Sequence, residues 1–209
     1  MMAFGVKTLS AEEREAVEGA IRAAEAVTSA EIVVVVDRIA GSWRSWAMVV
    51  ALLLALAAPW PLIELTQFAT RTIFTLQLLT AAGLIALFMP QAARLRLVPP
   101  MLRRRKGHEA ALREFTARNL SATRARNGML IYVALAERYA EIVADAGIKA
   151  VVDDGVWKDA MERLIADVDR GALGNGLTEA VNAAARALAA PFPPRADDAD
   201  EIENKVIVL

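Results

Sequence analysis

Four aspartates have the means to hold a cation: Asp37, Asp145, Asp153 and Asp154. Carboxylate oxygens are hard ligands that suit Ca²⁺ or Mg²⁺. An ion held by them could clamp phosphoryl oxygens in a transfer reaction. Asp37 closes a run of β-branched residues, and Asp145 closes a later alternating segment. Ligands gather at the carboxyl ends of strands in α/β sheets, so the expectation is one shared acidic rim. Each aspartate also has a plainer role. Asp153 or Asp154 can cap a following helix and face its positive end, and Asp145 can simply end a strand.

Other reactive side chains are sparse. His108 is the only histidine and lies beside a basic stretch, where a solvated helix start is the simplest reading. Gly174-Asn175-Gly176 could cradle a phosphate at a helix start, but a plain loop between helices explains it as well. No Gly-x-Ser-x-Gly surrounds a serine, and without cysteine no Cys/His zinc constellation is available. Arg94, Arg96, Arg103, Arg104, Arg105 and Lys106 form a basic run. Such a run can hold a segment against anionic lipid, at about 1 kcal/mol per residue near the surface. The net charge of −1 and the lack of aromatic residues within the run argue against nucleic acid as a partner.

Those residues need elements to place them. Ser10-Ala11-Glu12-Glu13 is a capping box that opens a helix over about 11–27, with Val17, Ala20, Ile21, Ala24 and Val27 at helical spacing along it. Ile32 to Val36 is an unbroken β-branched run, the pattern of a strand covered on both faces. Pro99-Pro100 marks an irregular connection, after which a helix is expected over about 108–124 with Leu112 and Phe115 inward. Asn127-Gly128 is a turn signal, followed by an apolar strand over 129–136. Glu137-Arg138 turns the chain into a second strand that alternates through Asp145. Trp157, Met161, Leu164 and Val168 stripe a helix with Gly171 just past its end, and Leu177, Val181 and Leu188 stripe another stopped by Pro191. Residues 206–209 could add an edge strand or pack on the domain. The order implies an α/β fold, a three-layer α/β/α domain with a small mixed sheet.

That domain is interrupted. Residues 46–63 and 72–89 are apolar runs, and a membrane-spanning helix needs roughly 17–25 such residues. The short link between them makes a transmembrane helical hairpin. Trp43, Trp46 and Trp60 sit near the ends of the first run, where amphipathic rings favour the headgroup layer. The expected division is therefore 1–40, first part of the α/β domain; 43–64 and 71–90, the two spans; 91–107, a basic juxtamembrane linker; 108–192, the second part; and 193–209, a polar tail. The basic flanks outweigh the single Arg71 of the turn, which places the domain in the cytoplasm and the turn outside, in a multi-pass protein of the cell (inner) membrane. The partners this implies are the lipid bilayer, its anionic headgroups and another membrane protein.

Several segments resemble the TPM domain family, whose members include thylakoid proteins of photosystem repair and bacterial membrane-anchored proteins. Thr28-Ser29-Ala30-Glu31-Ile32 is similar to the family's lead into its first strand, and Asn127-Gly128-Met129-Leu130-Ile131 to a later one. Glu137-Arg138 with Glu141-Ile142-Val143 resembles its hairpin, and residues 171–177 the start of its final helix. The resemblance covers 8–38 and 109–192. It implies a membrane-anchored accessory or assembly module or, alternatively, a divalent-metal-dependent acid phosphatase. The chain departs from the family pattern where Asp145 replaces a glycine and Lys149 an acid, and a cation there disfavours a bound cation.

Overall fold

The computed structural model describes residues 9–123, 125–194 and 206–209, with the backbone alone at Ala92 and Asp154. The chain forms two compact units, 1–40 with 104–209, and 41–103.

In the first unit, α1 (Ala11–Glu25) starts at the expected capping box: Ser10 Oγ accepts from the Glu13 amide, and the Glu13 carboxylate accepts from the Ser10 amide. The chain then runs into β1 (Glu31–Asp37), and later into β2 (Gly128–Ala134) and β3 (Tyr139–Ala144). With β4 (Val206–Val208) these make a mixed four-stranded sheet in the order β3-β2-β1-β4. β1 is parallel to β2 and β4, and β3 is antiparallel to β2.

The unbroken run in β1 has the cause its composition implies. Ile32, Val34 and Val36 enter one apolar cluster with α1, α8 (Lys158–Asp169) and α9 (Leu173–Leu188). Val33 and Val35 enter a second cluster on the other face, with Ala110, Ala111 and Phe115 of α6 (Pro100–Ala117). Helices therefore cover both faces of a sheet whose central strands have no wet side. The Asn127 amide group donates to the Ser29 carbonyl and ties the start of β2 to the start of β1.

Three local expectations are corrected. Gly174-Asn175-Gly176 is no loop but the first turn of α9. A Cβ on Gly174 would stand 2.7 Å from the Glu13 side chain, and one on Gly176 2.9 Å from Leu164 and Asp167. The glycines are there so that α1 and α8 can press against that turn. The second correction concerns Pro99-Pro100, where Pro100 opens α6 rather than extending an irregular linker. Proline lacks only an amide that the first turn leaves unpaired in any case. The basic stretch is accordingly helical, in α5 (Gln91–Leu97) and α6. Finally, α6 ends at Ala117, short of the expected end near 124.

In the second unit, α2 (Arg44–Ala57) and α3 (Pro59–Leu65) form one apolar helical stretch of 22 residues, and α4 (Thr70–Leu87) one of 18. α2 and α4 pack against each other. The side chains of α2 are sorted by size: Ala47, Ala51 and Ala55 are 3–4% exposed, while Met48, Leu52, Leu53 and Leu56 are 60–65% exposed. Gln77 of α4 is half-buried. The Thr75 and Thr80 hydroxyls each donate 2.8 Å back to the carbonyl four residues earlier.

Candidate functional site

Strand register decides which acidic residues can act together. Asp37 pairs with Ala134 at the carboxyl end of β2, whereas Asp145 follows Ala144, the partner of Met129 at the amino end. The two carboxylates are separated by the length of β2, 7 residues, or about 20 Å at ~3.3 Å per residue. The expected shared rim is thus corrected. β1 and β2 run parallel while β3 returns, so the carboxyl ends of β1 and β3 lie at opposite ends of the sheet.

At the carboxyl end of β1, Asp37 is committed to local bonds. Its Oδ2 accepts from the Tyr132 hydroxyl at 2.9 Å and its Oδ1 from the Ile39 amide at 2.9 Å. Burial pushes the Tyr132 hydroxyl well above its ordinary pKa, and the negative charge of Asp37 pushes it further in the same direction. Nearby, the buried Glu137 accepts from the Ala40 amide at 3.0 Å. This end of the sheet is acidic and closed by turn hydrogen bonds.

At the opposite end, buried Asp145 caps the short α7 (Ala146–Lys149), accepting from the Ala146 amide at 2.7 Å. Arg126 Nε stands 2.8 Å from the other carboxylate oxygen, in ion-pair contact but off the line of a hydrogen bond. Asp153 accepts from the Gly155 amide at 2.7 Å and caps the 3-10 turn Asp154–Trp157. The Asp154 side chain lies outside the described residues, as does the acidic stretch 197–203. Among the described residues no three His, Asp or Glu side chains stand close enough to hold one metal ion. The candidate carboxylates of Asp37, Asp145 and Asp153 are spent on caps, a turn and one ion pair, which does not fit a Ca²⁺ or Mg²⁺ centre.

His108 is not simply solvated. Its Nδ1 lies 2.9 and 3.0 Å from the two oxygens of Glu141 on β3, and the Tyr139 hydroxyl donates to Glu141 at 2.6 Å. Burial raises the Tyr139 pKa, and its hydrogen bond to Glu141 adds to the rise. A Cβ on Gly107 would fall 2.4 Å from the Tyr139 ring, so this glycine lets α6 reach β3. Nothing in the linear sequence marked the His108–Glu141–Tyr139 cluster. Its one signal was the alternation of β3, which places Tyr139 and Glu141 on the same face.

The six basic residues are split between α5, with Arg94 and Arg96, and α6, with Arg103, Arg104, Arg105 and Lys106. Consecutive helical residues are about 100° apart, so the four on α6 ring the helix rather than line one face. Arg105 and Lys106 also reach Glu109, at 3.0 and 2.7 Å. Lys106 first, then Arg105, holds the Glu109 carboxyl below its ordinary range.

Between α6 and α8 lies a cavity of about 260 Å³ along β3, lined by His108, Leu112, Ile142, Lys149, Trp157 and Lys158 among others.

Comparison with known proteins gives a family-model match and a similar fold. Residues 97–187 match the family model of the TPM domain. No curated protein matches the chain. The NMR structure of the BA42 protein from the psychrophilic bacterium Bizionia argentinensis is similar, with a TM-score of 0.60 and 23% sequence identity over 97% of each chain. At that identity the likeness concerns the fold alone.

Proposed function

Because the chain carries a TPM domain at residues 97–187, we propose that it is a membrane-anchored accessory or assembly module of that family. In this reading residues 43–64 and 71–90 cross the cell membrane, the basic segment 91–107 meets anionic headgroups, and the α/β unit engages another membrane protein at the cytoplasmic face. The observation that carries the reading is the size sorting of α2. Alanines pack inward while Met48, Leu52, Leu53 and Leu56 face out. In water such a surface would be an aggregation hazard. In lipid it is the ordinary solution, since small residues let helices approach and large apolar ones meet acyl chains.

The native chain has no cysteine, which makes topology directly testable. Single cysteines are introduced as Gln67→Cys, between the apolar helices, and Glu162→Cys, in α8. Intact cells are then treated with a membrane-impermeant maleimide. Labelling of Gln67→Cys alone, with Glu162→Cys reacting only after permeabilisation, is the expected result. The reverse pattern, or release of the chain from membranes by alkaline carbonate, overturns the reading.

The alternative, a divalent-metal-dependent acid phosphatase, has no comparable observation behind it. Asp37 and Asp145 lie at opposite ends of the sheet, and Asp153 is engaged as a cap.

A further inference from the structure

β3 is an edge strand, and no strand among the described residues pairs with its outer side, where Ile142 is half-buried and Ala140 and Ala144 are 9% and 5% exposed. The Asp145 amide donates to the Gly128 carbonyl at 2.9 Å, which fixes the phase of the antiparallel ladder. Hydrogen-bonded pairs alternate along such a ladder. Val143, Glu141 and Tyr139 therefore turn their amides and carbonyls toward β2, and Ala144, Ile142 and Ala140 turn theirs away. Exposed edges are usually blunted by proline, lysine or a bulge. β3, Tyr139–Ala144, carries none of these.

The 260 Å³ cavity lies along this outer side. His108 and Leu112 of α6 form one wall, and Trp157, Lys158 and Met161 form the other. Its lining carries two lysines, Lys149 and Lys158, against one carboxylate, Glu141. Glu141 is engaged by His108 and Tyr139. Lys149 and Lys158 are exposed and have no ion-pair partner among the described residues.

We infer that the outer edge of β3 is a docking site for an extended, acidic segment of a partner protein, which adds to the sheet as a fifth strand. The main chain would pair with the free groups of Ala140, Ile142 and Ala144. Carboxylates on the side facing α7 and α8 would meet Lys149 and Lys158, and alternate apolar residues would lie against Leu112 on the other side. This names the class of partner for the accessory-module reading, and rests on that reading only for its biological meaning. Binding to the β3 edge does not depend on membrane topology, so the two fail separately.

The test uses the full chain in detergent and a fluorescent peptide of alternating glutamate and valine, eight residues long, read by anisotropy. Three comparisons are made: the same peptide with alternate backbone amides N-methylated, a lysine-valine peptide, and the chain carrying Lys149→Glu with Lys158→Glu. Both lysines are exposed, so the variant keeps its fold. The expected result is saturable binding, abolished by N-methylation, absent for the lysine-valine peptide and weakened about tenfold or more in the double variant. Binding that survives N-methylation is charge attraction without strand addition and overturns the inference. Binding indifferent to the lysine changes, or no saturable binding up to about 1 mM peptide, overturns it as well.

Discussion

The two units of this chain solve burial in opposite ways. In the α/β unit the large side chains are inside: Leu177, Tyr132 and Ile131 have no exposed surface. In α2 of the other unit the small side chains are inside, and leucine and methionine look out. Composition alone does not separate these cases, since both units are rich in apolar residues. Which apolar residues meet each other does. Water rewards burial of the largest apolar surface, about 25 cal/mol per Å². In the membrane-anchored reading proposed above, lipid would remove that reward, and close backbone approach between small residues would take over.

The sharpest break in the comparison comes from one substitution made in each unit. Leu177→Ala in the α/β core should cost about 2–5 kcal/mol. Leu53→Ala, at a residue 60% exposed, should stay within about 0.5 kcal/mol in detergent. Denaturant unfolding of the solubilised chain measures both, and equal losses would erase the distinction. A smaller effect is expected from enlarging the inner face of α2. Ala51→Leu should loosen its contact with α4 by about 1–3 kcal/mol, read as faster proteolysis between residues 65 and 70, while Leu52→Phe on the outer face should leave that rate unchanged.

The gentlest test is pH. Tyr132 is buried against Asp37 and its folded pKa is raised above the ordinary 10.0. As pH rises past about 10 the unfolded chain loses that proton while the folded chain keeps it, so stability falls. The loss should approach about 1.4 kcal/mol per pH unit and should be smaller in Tyr132→Phe. Below pH 9 the tyrosine should contribute no slope, and a tyrosinate absorbance rising near pH 10 in the folded protein would contradict the burial.

Features encoded by neighbours in sequence were legible. The Ser10–Glu13 box, the β-branched run of β1, the Glu137-Arg138 turn and the short strand after residue 205 all follow from local chemistry. Features set by contacts between distant segments were not. Gly174 and Gly176 read as loop residues because nothing nearby announces that α1 and α8 will press on them. The acidic rim failed for a related reason: the end of the sheet reached by Asp145 depends on whether β1 and β2 run parallel. A helical crossover between two strands implies parallel pairing, and that signal was present in residues 100–117. The unpaired edge of β3 is a property of strand order, which no single segment carries.

β1 draws its two neighbours from far away. Its parallel partners are residues 128–134 on one side and 206–208 on the other. On the ribosome, β1 is therefore made long before either flank can be satisfied, and the apolar helices of residues 41–103 emerge in the interval. Non-local parallel pairing is intrinsically slow. The nascent chain must hold a bare, β-branched strand unpaired while its most insoluble segment is being delivered, so its maturation depends as much on the timing of synthesis as on the stability of the finished sheet.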